Sequence, residues 1–266
     1  MAQHATLVFM RHGESEWNVL NKFTGWHDVD LSPKGVEEAK AAGVLFKQEG
    51  LVFDVAYTSY LKRAIKTLNL ALETSDQLYV PVVKTWRLNE RMYGELTGLD
   101  KKETVVKHGA DMVQTWRRSF DIPPPPLTKD SDYYPGKDPK YKGLSEAELP
   151  LTECLKDTID RVLPFWESDI VPALNAGKTV LIAAHGNSVR SILKHLEGIS
   201  EDVIPGLEIP TGTPLVYKLD KDLKPIPDAR TRAPLRGYFL ADPEEVKKAQ
   251  EAVANQSKVR WSEKEA

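Results

Sequence analysis

Lys178-Thr179-Val180-Leu181-Ile182-Ala183-Ala184-His185-Gly186-Asn187-Ser188 is the stretch on which the fold turns. The run to Ala184 is apolar without alternation, so both faces of the strand it predicts must be covered, as in a parallel sheet between helices. A helix is expected to follow through Leu196. The same order of buried strand, histidine, glycine and polar residue occurs at Leu7-Val8-Phe9-Met10-Arg11-His12-Gly13-Glu14. Open α/β sheets bind ligands at the carboxyl ends of their strands, so two such tips can present two histidines to one crevice. A glycine after the histidine permits an unusual backbone angle and lets a bulky anion approach the ring and nearby backbone N–H groups.

Outward from these tips, the chain alternates strand and helix patterns. Ser32-Pro33-Lys34-Gly35 opens a helix through Phe46, with Ala39, Ala42, Gly43 and Phe46 on one face. Asp54 to Ser59 reads as a second buried strand, and the helix after it carries Arg63 near its start, facing the strand ends. Pro81-Val82-Val83 is a third strand, followed by the loop Leu88 to Gly94 and short helices over Lys101 to His108 and Asp111 to Phe120. Pro123 to Gly143 is too rich in proline and polar residues for regular structure and reads as an ordered surface loop or partly mobile lid. Leu151 to Leu174 is helical, bent at Pro164. Leu215 to Leu219 is a late strand and Pro243 to Ala254 a terminal helix.

The length of 266 residues and the apolar content suit one α/β domain, expected over residues 1–254, with a mobile tail at 255–266. The formal charge of −3 and dispersed basic residues disfavour nucleic acid as a partner, while leaving a small anionic substrate open. The single cysteine, Cys154, allows no internal disulfide and suits a reducing compartment as a packing residue. No apolar stretch approaches the roughly 20 residues that cross a bilayer, and the N-terminus lacks signal-peptide blocks, so the expectation is no membrane and a cytoplasmic location.

A neutral imidazole is a competent nucleophile, and arginines beside it disfavour its protonated form while binding a phosphoryl group. His12 with Arg11 and Arg63 meets that need. His185, if protonated, would stabilise charge in the transition state. No metal motif is visible, so a protein acid must protonate the leaving oxygen; Glu14 and Glu90 are the candidates. Glu90 has Arg87 and Arg91 nearby, and a glutamate so placed is more often a salt-bridge partner. Arg117-Arg118, beside Trp116 and downstream of Lys101, is either a solvated pair or a fork for a carboxylate or second phosphate.

Arg11-His12-Gly13-Glu14-Ser15 resembles the signature of the histidine phosphatase superfamily. Asn21 to Trp26, Thr58 to Ala64, Trp86 to Arg91, Trp116 to Arg118, Ala183 to Ser188 and Ile209 to Gly212 are similar to its cofactor-dependent phosphoglycerate mutase branch. The resemblance implies a three-layer α/β/α sandwich with a mostly parallel central sheet. It implies an isomerase that interconverts 3-phosphoglycerate and 2-phosphoglycerate through a phosphohistidine at His12, primed by 2,3-bisphosphoglycerate and needing no metal. By the same match Glu90 is the general acid and base, and His185 stabilises the transferring group. Arg11, Asn18, Arg63, Gly186 and Asn187 line the phosphate pocket, while Thr24, Gly25, Tyr93, Lys101, Arg117 and Arg118 hold the substrate's carboxylate and other phosphate. Small-molecule phosphoglycerates are the expected partners, and a homo-oligomer, dimer or tetramer, is a family expectation.

Three departures stand out. Met92 occupies a position usually held by histidine, and a thioether there is expected to cost the pocket polarity. Pro227 to Pro234 looks like an insertion that lengthens an exposed loop. Asn255-Gln256-Ser257-Lys258 replaces the family's Asn-Gln-Gly-Lys tail and is extended by Val259 to Ala266, where the tail is expected to set the balance of mutase and phosphatase activity. Two alternatives accompany this reading. One is a bisphosphoglycerate mutase or phosphatase, disfavoured by Thr24-Gly25; the other is a non-catalytic phosphate-binding scaffold, disfavoured by the presence of His12, Arg63, Glu90 and His185.

Overall fold

The computed structural model describes residues 2–258. In chain order its strands are β1 (Ala5–Arg11), β2 (Val55–Thr58), β3 (Val82–Lys84), β4 (Thr179–Ala184), β5 (Leu215–Leu219) and β6 (Tyr238–Phe239). The helices are α1 (Glu16–Val19), α2 (Pro33–Gln48), α3 (Lys62–Thr74), α4 (Lys101–His108), α5 (Ala110–Arg118), α6 (Leu155–Phe165), α7 (Val171–Asn175), α8 (Gly186–Glu197) and α9 (Pro243–Ala254). One six-stranded sheet runs β3-β2-β4-β1-β5-β6. β3, β2, β4 and β1 are mutually parallel, and β5 and β6 add an antiparallel edge.

Strand side chains alternate between two cores, because successive residues point to opposite faces. Leu7, Phe9, Val180 and Ile182 pack with Val162, Val189 and Ile192 of α6 and α8. Val8, Met10, Leu181 and Ala183 pack with Ala42, Phe46 and Leu68 of α2 and α3. This is the expected α/β/α arrangement, and it explains why β1 and β4 lack polar alternation.

Local chemistry sets the element starts. Ser32 caps α2 by accepting from Gly35 N at 3.1 Å, and Pro33 supplies a pre-set first helical residue. The long helix expected from Leu151 begins instead at Leu155. Its first residues run extended beside the Met92 loop, where Glu153 N donates to Met92 O at 2.8 Å. Pro164 lies inside α6, and a π turn over Trp166–Ile170 follows before α7 resumes. Proline removes one helical donor and crowds the preceding turn, which accounts for the irregularity. β6 was not expected; two residues are too short to leave a periodic signal. The Pro227 to Pro234 segment is largely exposed, as expected of a lengthened loop. No helix among the described residues is long and apolar enough to cross a membrane.

Candidate active site

β1 and β4 are neighbours in register, with Arg11 opposite Ala184, so the residues after both strands emerge side by side. His12 N donates to Ala184 O at 2.9 Å, continuing the ladder by one rung. The two rings consequently lie 5.1 Å apart, centroid to centroid, His12 3% and His185 0% exposed.

The two histidines hold their protons differently. His12 Nδ1 lies 2.7 Å from Gly13 O. A carbonyl only accepts, so the proton sits on Nδ1 and the Nε2 lone pair is left free. Burial, then the charges of Arg63 and Arg11, hold this ring well below its ordinary pKa, which keeps it neutral and nucleophilic. His185 Nε2 meets Ser59 Oγ at 2.8 Å. Burial and the charges of Arg63, His12 and Arg11 also depress its pKa strongly. The condition set for His185, that it be protonated, is thus disfavoured in the protein alone, and the positive charge around His12 comes from Arg11 and Arg63.

Arg63 follows from the start of α3. Ser59 Oγ accepts from Leu61 N at 3.1 Å and Asp28 Oδ1 from Lys62 N at 2.7 Å, which fixes the first turn. The guanidinium, 1% exposed, donates to Gly25 O at 2.8 Å and His27 O at 2.9 Å. Gly25 has φ +57°, a left-handed angle that glycine adopts readily. Arg11 donates to Ile209 O at 2.9 Å. Among the described residues, Arg11 Nε, Arg63 Nε and His185 Nδ1 are buried with no hydrogen-bond partner. Buried donors without acceptors are costly, so the two guanidinium donors, both on residues that line one cavity with His12, mark a place for an anion.

Glu90 closes the site. Its Oε1 accepts from Arg91 N at 2.7 Å, Asn187 N at 3.2 Å and Asn187 Nδ2 at 2.8 Å, so it caps the first turn of α8. Burial pushes the carboxyl's pKa up, but these hydrogen bonds and the charges of Arg11 and Arg63 outweigh it and hold it low. The expected neighbours turn elsewhere: Arg87 donates to Arg161 O and Arg91 to Trp116 O and Glu153 O. Glu14, the other candidate acid, accepts from Ser32 and Lys34 instead and is absent from the lining of the cavity beside His12.

Two glycine expectations separate. Gly13 has no positive φ, and a Cβ there would lie 2.3 Å from Gly35 O, so its missing side chain makes room for α2. Gly186 is the one that opens space at the site: a Cβ there would sit 3.7 Å from Glu90 Oε2 and 3.8 Å from Arg11 Nε.

A cavity of about 50 Å³ is lined by Arg11, His12 and Arg63, by Asn18, Thr24, Gly25, Glu90 and Tyr93, and by Lys22 and Lys101. Asn18 is held by Ser15 through a reciprocal cap, and Tyr93 Oη accepts from Asn187 Nδ2 at 3.3 Å. Burial and the charges of Arg117, Arg11 and Arg118 lower the pKa of Lys101 to about 7. Its Nζ donates to Gln256 Oε1 at 2.7 Å, and Asn21 Nδ2 donates to Gln256 O at 2.9 Å. Thus Gln256 of the expected tail is tied to Lys101 in the cavity lining and to Asn21, whereas Val259 to Ala266 fall outside the described residues.

Arg117 and Arg118 do not form one fork. Successive helical residues diverge, and here Arg117 reaches Ser257 Oγ while Arg118 pairs with Glu208 and donates to Pro205 O at 3.1 Å. Met92 is a correction as well. Its side chain, 1% exposed, packs with Trp26, Leu127 and Tyr141 and does not line the cavity. Glu208, Arg190, Glu153 and Arg161 were all missed. Their only sequence signal is charge beside apolar helix or strand residues, and their partners are distant in the chain.

Residues 7–134 match the profile described as histidine phosphatase superfamily (branch 1). Over that stretch, a little under half of its length, the chain is similar to the histidine phosphatase superfamily. Among solved structures, the mycobacterial glucosyl-3-phosphoglycerate phosphatase in complex with VO3 is 21% identical, with a TM-score of 0.62 over 91% of this chain and 99% of that one. The alpha-ribazole phosphatase from Shigella flexneri is 18% identical, with a TM-score of 0.60 over 89% and 100%. The phosphoglycerate mutase from Bacillus anthracis is 20% identical, with a TM-score of 0.56 over 96% and 97%. At these identities the likeness shows the fold, which these phosphatases and the mutase share.

Proposed function

We propose that the chain interconverts 3-phosphoglycerate and 2-phosphoglycerate through a phosphohistidine at His12. The observation that carries this reading is the set of four basic side chains that line one small cavity with His12: Arg11, Arg63, Lys22 and Lys101. A phosphoglycerate brings two anionic groups, phosphate and carboxylate, to such a set, where a plain phosphomonoester brings one.

His12 Nε2 forms the N–P bond while the P–O ester bond breaks and its electron pair passes to the leaving oxygen. Glu90 gives that oxygen a proton and becomes a carboxylate. The same group later takes the proton from the hydroxyl that attacks the phosphohistidine. A bound phosphoryl dianion offsets the charges of Arg11 and Arg63, the smaller of the causes that hold the Glu90 pKa low, and so shifts the balance toward burial, which favours its acid form. Arg11 and Arg63 bind the equatorial oxygens, and the same dianion raises the pKa of His185.

2,3-Bisphosphoglycerate fits the same donor set, the orphaned Arg11 Nε and Arg63 Nε together with Lys22 and Lys101 in the lining of one cavity. When bound it supplies the phosphoryl group that primes His12. The docked Gln256 and Ser257 shield the cavity from water, which favours transfer to substrate over hydrolysis.

A phosphatase, including a bisphosphoglycerate phosphatase, is the second reading, favoured by the phosphatases among the structural relatives. The deciding assay follows 3-phosphoglycerate with and without 2,3-bisphosphoglycerate and with a chelator. Isomerisation that is stimulated by the bisphosphate, indifferent to the chelator and lost in His12→Ala is expected. Phosphate release without isomerisation would replace the mutase by the phosphatase, and activity surviving His12→Ala would remove the phosphohistidine.

A further inference from the structure

Glu90 sits in a loop with no regular structure, yet proton transfer needs its carboxyl held to within a fraction of an ångström. The means of holding it lies in α6 and the residues just before it. Arg161, 7% exposed, donates from Nη1 to Arg87 O at 2.7 Å and from Nη2 to Asn89 O at 3.1 Å and Glu90 O at 2.8 Å. One guanidinium thus gathers three carbonyls of the loop that carries Glu90. The fork is itself oriented by Glu153, 4% exposed, through Nε–Oε1 at 2.6 Å and Nη2–Oε2 at 3.0 Å. Glu153 then takes hold of the other side of Glu90: its Oε2 accepts from Met92 N at 2.8 Å, and its backbone N donates to Met92 O at 2.8 Å. The loop is therefore clamped on both sides of Glu90. Neither residue lines the catalytic cavity.

We propose that Glu153 and Arg161 form a buried brace that positions the Glu90 carboxyl for proton delivery to the leaving oxygen. They are positioning residues, acting through Glu90 without touching substrate. Arginine is suited to this because its planar guanidinium reaches a carboxylate and several carbonyls at once; a lysine in its place keeps the charge but has no such fork. The brace rests on the Glu90 role given above and not on the choice between mutase and phosphatase.

The test uses leaving groups. p-Nitrophenolate departs without protonation, whereas the alkoxide of β-glycerol phosphate or 3-phosphoglycerate needs an acid. General acid catalysis contributes on the order of 10²-fold or more. Arg161→Lys and Glu153→Gln, and a double Glu153→Gln, Arg161→Gln variant that leaves neither charge unpaired, are expected to lose about 10²-fold in kcat on the alkyl phosphates. Their KM should be nearly unchanged, and with p-nitrophenyl phosphate the burst of p-nitrophenolate that reports phosphorylation of His12 should keep its wild-type rate, since Glu90 is needed with that ester only for the later attack of water. In a Glu90→Gln background the same changes are expected to add almost nothing. An equal loss in the rate of that burst, or full additivity with Glu90→Gln, would overturn the brace. Wild-type protein that hydrolyses β-glycerol phosphate but does not isomerise 3-phosphoglycerate would overturn the mutase reading and leave the leaving-group comparison intact.

Discussion

Gly13 and Gly186 occupy matching places in the two strand tips, but they answer to different demands, and substitution separates them. A Cβ on Gly13 meets backbone, Gly35 O at 2.3 Å, which cannot move aside without displacing α2. Gly13→Ala is expected to cost about 1–3 kcal/mol of stability through overpacking, read from urea unfolding. A Cβ on Gly186 meets nothing closer than Arg190 Nη1 at 3.4 Å, so Gly186→Ala should fold with little loss. It fills the space between Glu90 and Arg11, however, and kcat/KM is expected to fall by about tenfold, corresponding to about 1.4 kcal/mol in transition-state binding. Lys101 gives a proton-linked test at the same scale. With its pKa near 7, it loses charge as the pH rises above that value. Binding of an anion restores the charge, so 3-phosphoglycerate binding at pH 8 is expected to take up a proton. Heats of binding that do not vary with the buffer's ionisation enthalpy would contradict this.

Among the elements, α9 and the residues after it differ from the other long helices. No residue of α9 is buried, and a groove of about 650 Å³ lies along it, lined in part by Ala42 and Leu45 of α2 and by Val246 and Val253 of α9 itself. Little apolar area therefore holds the element down; polar bonds from Gln250, Gln256 and Ser257 carry much of its seat. Truncation after Ala254 should leave the two main cores intact. It should raise hydrolysis of the phosphohistidine relative to transfer, measured as phosphate released per 2-phosphoglycerate formed; an unchanged ratio would exclude a shielding role. The paired strand tips were legible in the sequence because a strand buried on both faces needs an unbroken apolar run, and the chemistry lies immediately after it. Arg63 was legible for the same local reason, in the first turn of the next helix. Met92 was misjudged because an irregular loop has no periodicity from which to tell which side faces the pocket. Glu153 and Arg161 were invisible because their meaning lies in loop carbonyls about 70 residues away, close only after β2, β4 and α6 have assembled.

The molecule as a whole bears the cost of placing these groups in its interior. His12 and His185 are both held well below their ordinary value of 6.5, burial being the largest cause in each. A depressed histidine pKa means that the unfolded chain takes up protons below about pH 6.5 while the folded chain does not. Unfolding in that window binds about two protons, so stability falls as the pH falls, by about 1.4 kcal/mol per pH unit for each histidine. Glu90 acts in the same direction at lower pH, because a carboxylate with a lowered pKa contributes stability that is lost as it protonates. The fold is thus expected to weaken steeply from pH 6.5 to 5. A His12→Gln, His185→Gln variant should show a slope shallower by nearly two protons, or about 2.7 kcal/mol per pH unit. Inorganic phosphate opposes the effect in wild type, since its charge raises both histidine pKa values and lets the folded state accept the protons. The stabilisation by phosphate is therefore expected to grow as the pH falls within this window, beyond what the phosphate's own ionisation explains, and to lose that growth in the double variant. Urea unfolding at several pH values, with and without phosphate, measures both slopes; parallel slopes for wild type and variant would mean that the two rings are not held neutral by their burial.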